Sequence, residues 1–193
     1  AFGLGKGSET VSTTRKSNAG FLPYTSVNES AYLRGAAVTV QAFGDVDISV
    51  FYSRSRRDAS QEGISDTVSV TSFQTSGFHR TDSELHIRKK VTEQSSGLVL
   101  RMNKKRLDAG FTVHAIHFGM PVRRAKTPYN QFVFGESENV NMGIFLNYSF
   151  ENMSFFSEAG RSISGGVGAV LGMLMTPYPK LDIAIIYRNY GSD

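Results

Sequence analysis

The chain has 193 residues, 40% hydrophobic and 20% charged, with a net charge of +4. That length suffices for one domain with a sizeable core, the composition argues against wholesale disorder, and so small and scattered a positive charge does not argue for nucleic acid. Cys is absent, which excludes disulfides and thiolate metal sites, and four His leave little for a metal centre.

AFGLGKG (1–7) begins as if inside a strand. A partial strand is expected at 1–6, and the chain is expected to be a processed or truncated piece of a longer protein. Residues 8–30 read as a polar loop rich in Ser and Thr, without the strand and helix that would flank a phosphate-binding loop. Strands are expected over 31–43 and 46–57. There Val38, Val40 and Ala42, then Val46, Ile48, Val50 and Tyr52, alternate with polar neighbours across Gly44-Asp45, the pattern of an antiparallel hairpin. Residues 58–92 read as a long polar loop, in which Thr81-Asp-Ser-Glu84 has the spacing to cap a short turn of helix. Further strands follow at 93–104, 109–119, 139–150, 153–163, 166–176 and 180–190, each with one apolar face. Leu98, Leu100 and Met102, and later Ile183, Ile185 and Tyr187, are examples. No segment carries an amphipathic-helix period, so the chain is all-β.

One hairpin does not say which face meets water. A soluble β-protein buries the apolar face, whereas a membrane barrel turns it to lipid. No run of 18 apolar residues exists for a membrane helix, but a spanning strand needs only about 9–11 residues. The strands are long, and tight turns alternate with long polar links at 58–92 and 120–138, as in outer-membrane barrels. Aromatics form two bands. Phe43, Phe111, Phe150, Phe155 and Tyr178 lie beside the short turns, and Tyr32, Tyr52, Phe118, Tyr187 and Tyr190 near the far strand ends. The expectation is an antiparallel up-and-down transmembrane β-barrel of about eight strands, or part of a larger one, with residues 1–193 as a single domain. A soluble lipocalin-like barrel holding an apolar ligand is the alternative.

The stretches LPYTSVNESAYLRGAA (22–37), FYSRSRRDA (51–59), SFQTSGFHRTDSE (72–84), TPYNQF (127–132) and IIYRNY (185–190) resemble outer-membrane proteins of Bacteroidota described as helix-hairpin-helix domain-containing. The resemblance covers the barrel part only. It implies a bacterial outer-membrane location and a parent protein with a helix-hairpin-helix module. Any nucleic-acid contact would belong to that module, which this chain lacks. It implies no catalytic residue.

Among chemistry-bearing residues, Arg101, His114, Glu158, Asp182 and Arg188 fall on the polar strand faces and form a candidate lumen cluster. The plainer reading is polar filling of a narrow interior. His79, Arg80 and Glu84, with Arg56 and Arg57, are candidate contacts of the extracellular loops. SRSRRDAS (53–60) and HIRKK (86–90) are basic enough to meet lipopolysaccharide phosphates or another polyanion, although a solvated rim is the plainer account. A hydrolase built on a loop His is a weaker alternative: His79 lies near Ser83 and Glu84, for which a capped turn is the plainer reading, and neither His114 nor His117 has a Ser partner evident in the sequence. No catalytic residue, cofactor or metal is assigned. The expected partners are the lipid bilayer, lipopolysaccharide and other envelope proteins, in a passive structural, docking or transport role.

Overall fold

The structure is a computed structural model that describes residues 20–25, 32–64, 67–123, 127–128 and 134–191. The partial strand expected at 1–6 lies outside the described residues. In chain order the elements are β1 (Gly35–Phe43), β2 (Val46–Arg57), β3 (Ala59–Ile64), β4 (Thr67–Phe73), α1 (Asp82–His86), β5 (Val91–Lys104), β6 (Leu107–Phe118), β7 (Glu138–Phe150), β8 (Met153–Ser162), β9 (Gly165–Tyr178) and β10 (Leu181–Tyr190).

Eight of the strands form one antiparallel meander in the order β1-β2-β5-β6-β7-β8-β9-β10, and β3 with β4 makes a separate hairpin. All eight expected strands are present, with ends shifted by a few residues. The separate hairpin occupies part of the stretch read from sequence as a loop. Two-residue turns at 44–45, 105–106, 151–152 and 179–180 gather at one end of the sheet. The first residue of three of them, Gly44, Lys105 and Glu151, has a positive φ near 50°, the left-handed bend that tight hairpins require. The opposite end carries the links 58–90 and 119–137 and one further short turn at 163–164.

Closure of the sheet into a barrel was expected, and it is not what the described residues form. β1 and β10 share no ladder and stand as the two edges of an open sheet. The reason the sequence did not reveal this is geometric. Period-two alternation fixes which side chains share a face, but not the stagger that joins a first strand to a last.

The two faces are unlike. Directly opposed residues such as Val38, Val50, Leu98, Val113 and Met142 form apolar rows across the sheet. Large members of this face stand open, among them Val40 at 56%, Ile144 at 59% and Tyr187 at 59% exposure. The polar face is covered in part: Ser53, Ser95 and Asn147 are buried, while Thr39, Glu158 and Arg188 on the same face are exposed. Three aromatic rings help to cover it. Phe51, Phe145 and Phe156 each lie over the glycine directly opposite on the next strand, Gly97, Gly110 and Gly172 respectively, where an added methyl would strike the ring. On β9, Gly172 thus makes room for the bulky Phe156 opposite it.

The buried apolar cluster lies elsewhere, at the long-link end. Ala59, Val70, Val91, Phe118 and Val122 pack together, with Phe73, Ile116, Met120 and Phe134 against them. The β3–β4 hairpin is clamped there because Val70 N–H donates to Pro121 C=O at 2.9 Å and Arg123 N–H donates to Val70 C=O at 2.8 Å. Phe118 therefore belongs to this small core and not to an exposed aromatic band, contrary to the sequence-based expectation.

Candidate functional site

The link 58–90 builds a cavity at the long-link end. Its volume is about 340 Å3, and its walls are the end of β2, the stretch from Gln74 to His79, and Arg88-Lys89 at the entry to β5. Asp58 ties the three walls together. Its Oδ2 accepts from His79 Nε2 at 2.6 Å, and its Oδ1 accepts from the Lys89 amide at 2.7 Å. Its backbone C=O accepts from Gln74 N–H at 2.9 Å, while Ala59 N–H donates to Ile87 C=O at 3.0 Å. Gly77, with φ of 70°, supplies the left-handed bend that returns the chain towards Asp58. Lys89 adopts φ of 50° without being glycine, a strained backbone held by its bond to the Asp58 carboxylate.

The cavity is basic. Arg56, Arg57, Arg88 and Lys89 line it against the single carboxylate of Asp58. Arg57 is engaged by Glu93 at 3.5 Å. Arg56, Arg88 and Lys89 have no carboxylate partner among the described residues. Ser55 also lines the cavity, and its hydroxyl is buried without a hydrogen-bond partner among the described residues.

Replacing Asp58 by Ala removes the shared acceptor for two walls. Faster tryptic cleavage after Arg80, Arg88 and Lys89 is expected, with a stability loss of about 2–4 kcal/mol. Limited proteolysis with denaturant unfolding checks this, and Asp58→Asn should fall between wild type and Ala.

Beside the cavity, α1 opens with the capping box expected from Thr81 and Glu84. Thr81 Oγ1 accepts from Glu84 N–H at 3.3 Å, and Glu84 Oε2 accepts from the Arg80 and Thr81 amides at 2.6 and 3.1 Å. The Arg80 amide, before the Thr81 amide and the nearby charges, holds the Glu84 carboxyl below its usual range. The stabilisation it contributes is therefore present above the ordinary carboxylate range and is lost as pH falls through the depressed value. Thr81→Ala should weaken this turn by about 1 kcal/mol, read as lower amide protection factors at Glu84 and Leu85, and acidification should lower the protection factors of the same amides in the wild type. The Arg80 guanidinium sits 4.1 Å from the Phe78 ring centroid, outside the cavity lining.

The five polar-face candidates share one face but do not meet as a cluster. Arg101 Nε donates to Asp108 Oδ1 at 2.6 Å. Asp182 accepts from Thr176 Oγ1 at 2.7 Å, near the tight turns. Glu158 and Arg188 are exposed and flank Val170 in one cross-strand row. His114 shares a hydrogen bond of 2.9 Å with Ser95 Oγ and stacks on Phe51. Sequence reading missed this Ser partner. Folding β5 onto β6 about Lys105-Arg106 puts Gly97 opposite His114, which brings Ser95 to a diagonal neighbour. Ser95 is only 3% exposed, and no acidic or amide side chain holds the other His114 nitrogen among the described residues. A nucleophile needs access and an oriented base, and this pair has neither.

Among the described residues no three His, Asp or Glu side chains gather as a metal site. No family model, curated protein or solved structure matches the chain.

Proposed function

We propose that the chain is the wall of a bacterial outer-membrane β-barrel, with its apolar face against lipid, its polar face towards a lumen, and its long links outside the cell. The role is passive: structure, docking or transport at the surface, with no turnover. The observation that carries this reading is the inverted burial of the sheet. Val40, Ile144 and Tyr187 stand open while Ser53, Ser95 and Asn147 are covered. In water an apolar face spanning eight strands is a liability, and in lipid it is the required surface. The gathering of four tight turns at one end and both long links at the other agrees with the same orientation. A lipocalin-like binder would need the apolar face on the enclosed side, and the burial runs the other way.

A lipid-facing sheet cannot keep open edges, because unpaired backbone groups find no partner in hydrocarbon. In this reading β1 and β10 are completed by each other or by strands beyond the described residues. Lipid and lipopolysaccharide are then the immediate partners, and other envelope proteins would dock on the long links.

The test is fractionation of cells making the full-length protein, with gel migration compared before and after boiling. Recovery in the outer membrane with a heat-dependent shift supports the proposal. Recovery in the soluble fraction without detergent overturns it and makes Val40, Ile48 and Leu100 core residues.

A further inference from the structure

We infer that the cavity between β2, the Gln74–His79 stretch and Arg88-Lys89 is a binding site for a phosphate-type anion, a phosphomonoester or its free equivalent. The cavity is part of the link region, so the inference does not depend on which face of the sheet meets lipid.

Three observations converge. The first is charge without partners: Arg56, Arg88 and Lys89 line the cavity and have no carboxylate among the described residues. All three residues are solvent-exposed, and their summed positive field would draw an anion into the cavity. The second is the buried Ser55 hydroxyl, a donor with no acceptor among the described residues. An unpaired buried polar group is costly, and an anion oxygen in the cavity would satisfy it. The third is construction. Asp58 holds the walls at a fixed spacing through its carboxylate and its carbonyl, and Lys89 keeps a strained backbone to stay in its wall. A solvated rim of basic side chains needs none of this.

The chemistry narrows the ligand. Arginine forks and lysine ammonium groups suit tetrahedral, multiply charged oxyanions. A volume of about 340 Å3 is at the small end of ligand pockets, which run from about 300 to 1,000 Å3. It fits a head group and not an extended polyanion. Arg57 stays with Glu93, so the anion would be held mainly by Arg56, Arg88, Lys89 and the Ser55 hydroxyl.

The full chain in neutral detergent micelles is titrated calorimetrically with inorganic phosphate at constant ionic strength. In a parallel arm, mixed micelles doped with phosphatidic acid are compared with micelles doped with phosphatidylcholine. Arg88→Gln/Lys89→Gln should weaken binding by at least about tenfold. The matched pair Lys104→Gln/Lys180→Gln changes net charge equally at the other end of the sheet, and it should stay within about twofold. Ser55→Ala removes a donor without removing charge and should weaken binding several-fold, which also guards against a double variant that merely misfolds. Saturation by inorganic phosphate supports the site with a free anion as ligand. A response only to phosphatidic acid supports it with a lipid head group as the source. No response in either arm, or equal losses in the two charge-matched pairs with Ser55→Ala unchanged, overturns it.

Discussion

Ile144→Arg is expected to cost about 2–4 kcal/mol when the protein is unfolded from lipid vesicles by denaturant. Ile144 sits near the middle of β7, on the apolar face, and is 59% exposed. A cation at the centre of a lipid-facing strand pays that penalty because it must be dragged out of water, and the penalty fades towards the membrane surfaces. Exposed surface in water behaves differently: a substitution there usually stays within about 0.5 kcal/mol. The position therefore separates the two environments by several-fold. Asn141→Arg, on the other face of the same strand, serves as the control and should change little. A cost for Ile144→Arg as small as the control would remove the lipid from this face, whatever the fractionation showed.

The second large effect concerns the covered face. Gly172→Ala puts a methyl group where the Phe156 ring now lies. The two residues are direct cross-strand partners, so neither backbone can step aside without disturbing the ladder. Overpacking of this kind costs about 1–3 kcal/mol. Phe156→Ala alone uncovers the strand beneath and should also destabilise. The double variant Gly172→Ala/Phe156→Ala should lose less than the two single variants together, with a coupling of about 1–3 kcal/mol. A complete double-mutant cycle by denaturant unfolding measures it. Additive losses would mean that ring and glycine are neighbours without depending on each other.

Much of the sheet was legible because its signal is local. Alternation in stretches such as Val38-Thr-Val40 and Ile183-Ala-Ile185 needs no knowledge of distant residues, and the tight turns carry their own bend. The β3–β4 hairpin was less visible. Ala59–Ile64 shows no clean apolar alternation, although Val68 and Val70 among Ser and Thr in β4 were a usable sign. What makes that hairpin fold is tertiary: Val70 packs with Ala59, Val91, Phe118 and Val122, and residues 121–123 pair with its backbone. The cavity was half legible. Arg56, Arg57 and His79 stood out as charged loop residues, and the HIRKK stretch as basic. Asp58 did not, because its importance lies in three bonds, to His79, Lys89 and Gln74, that only the fold brings within reach. The polar-face residues share one face of the sheet, since parity along a strand fixes it. Their grouping was not assigned, since that depends on distances along and across strands. Arg101 pairs with Asp108 across a hairpin, while Glu158 and Arg188 stay apart on β8 and β10.

The lengths of the links also order the assembly of the sheet in time. Neighbouring strands joined by two-residue turns make only local contacts, and such hairpins close in about microseconds. β1 with β2, β5 with β6, and β7 through β10 are joined in this way. The sheet therefore condenses as three preformed pieces, and the two remaining ladders wait on the long links 119–137 and 58–90. Doubling a loop raises its closure cost by only about 0.6 kcal/mol, but non-local pairing still slows a folding rate. The longer link shortens its own search. By folding β3 on β4 and anchoring Ala59 to Ile87, it brings its two ends together until Arg57 stands opposite Val91. The segment that builds the basic cavity is thus also the strap that docks the first hairpin onto the rest.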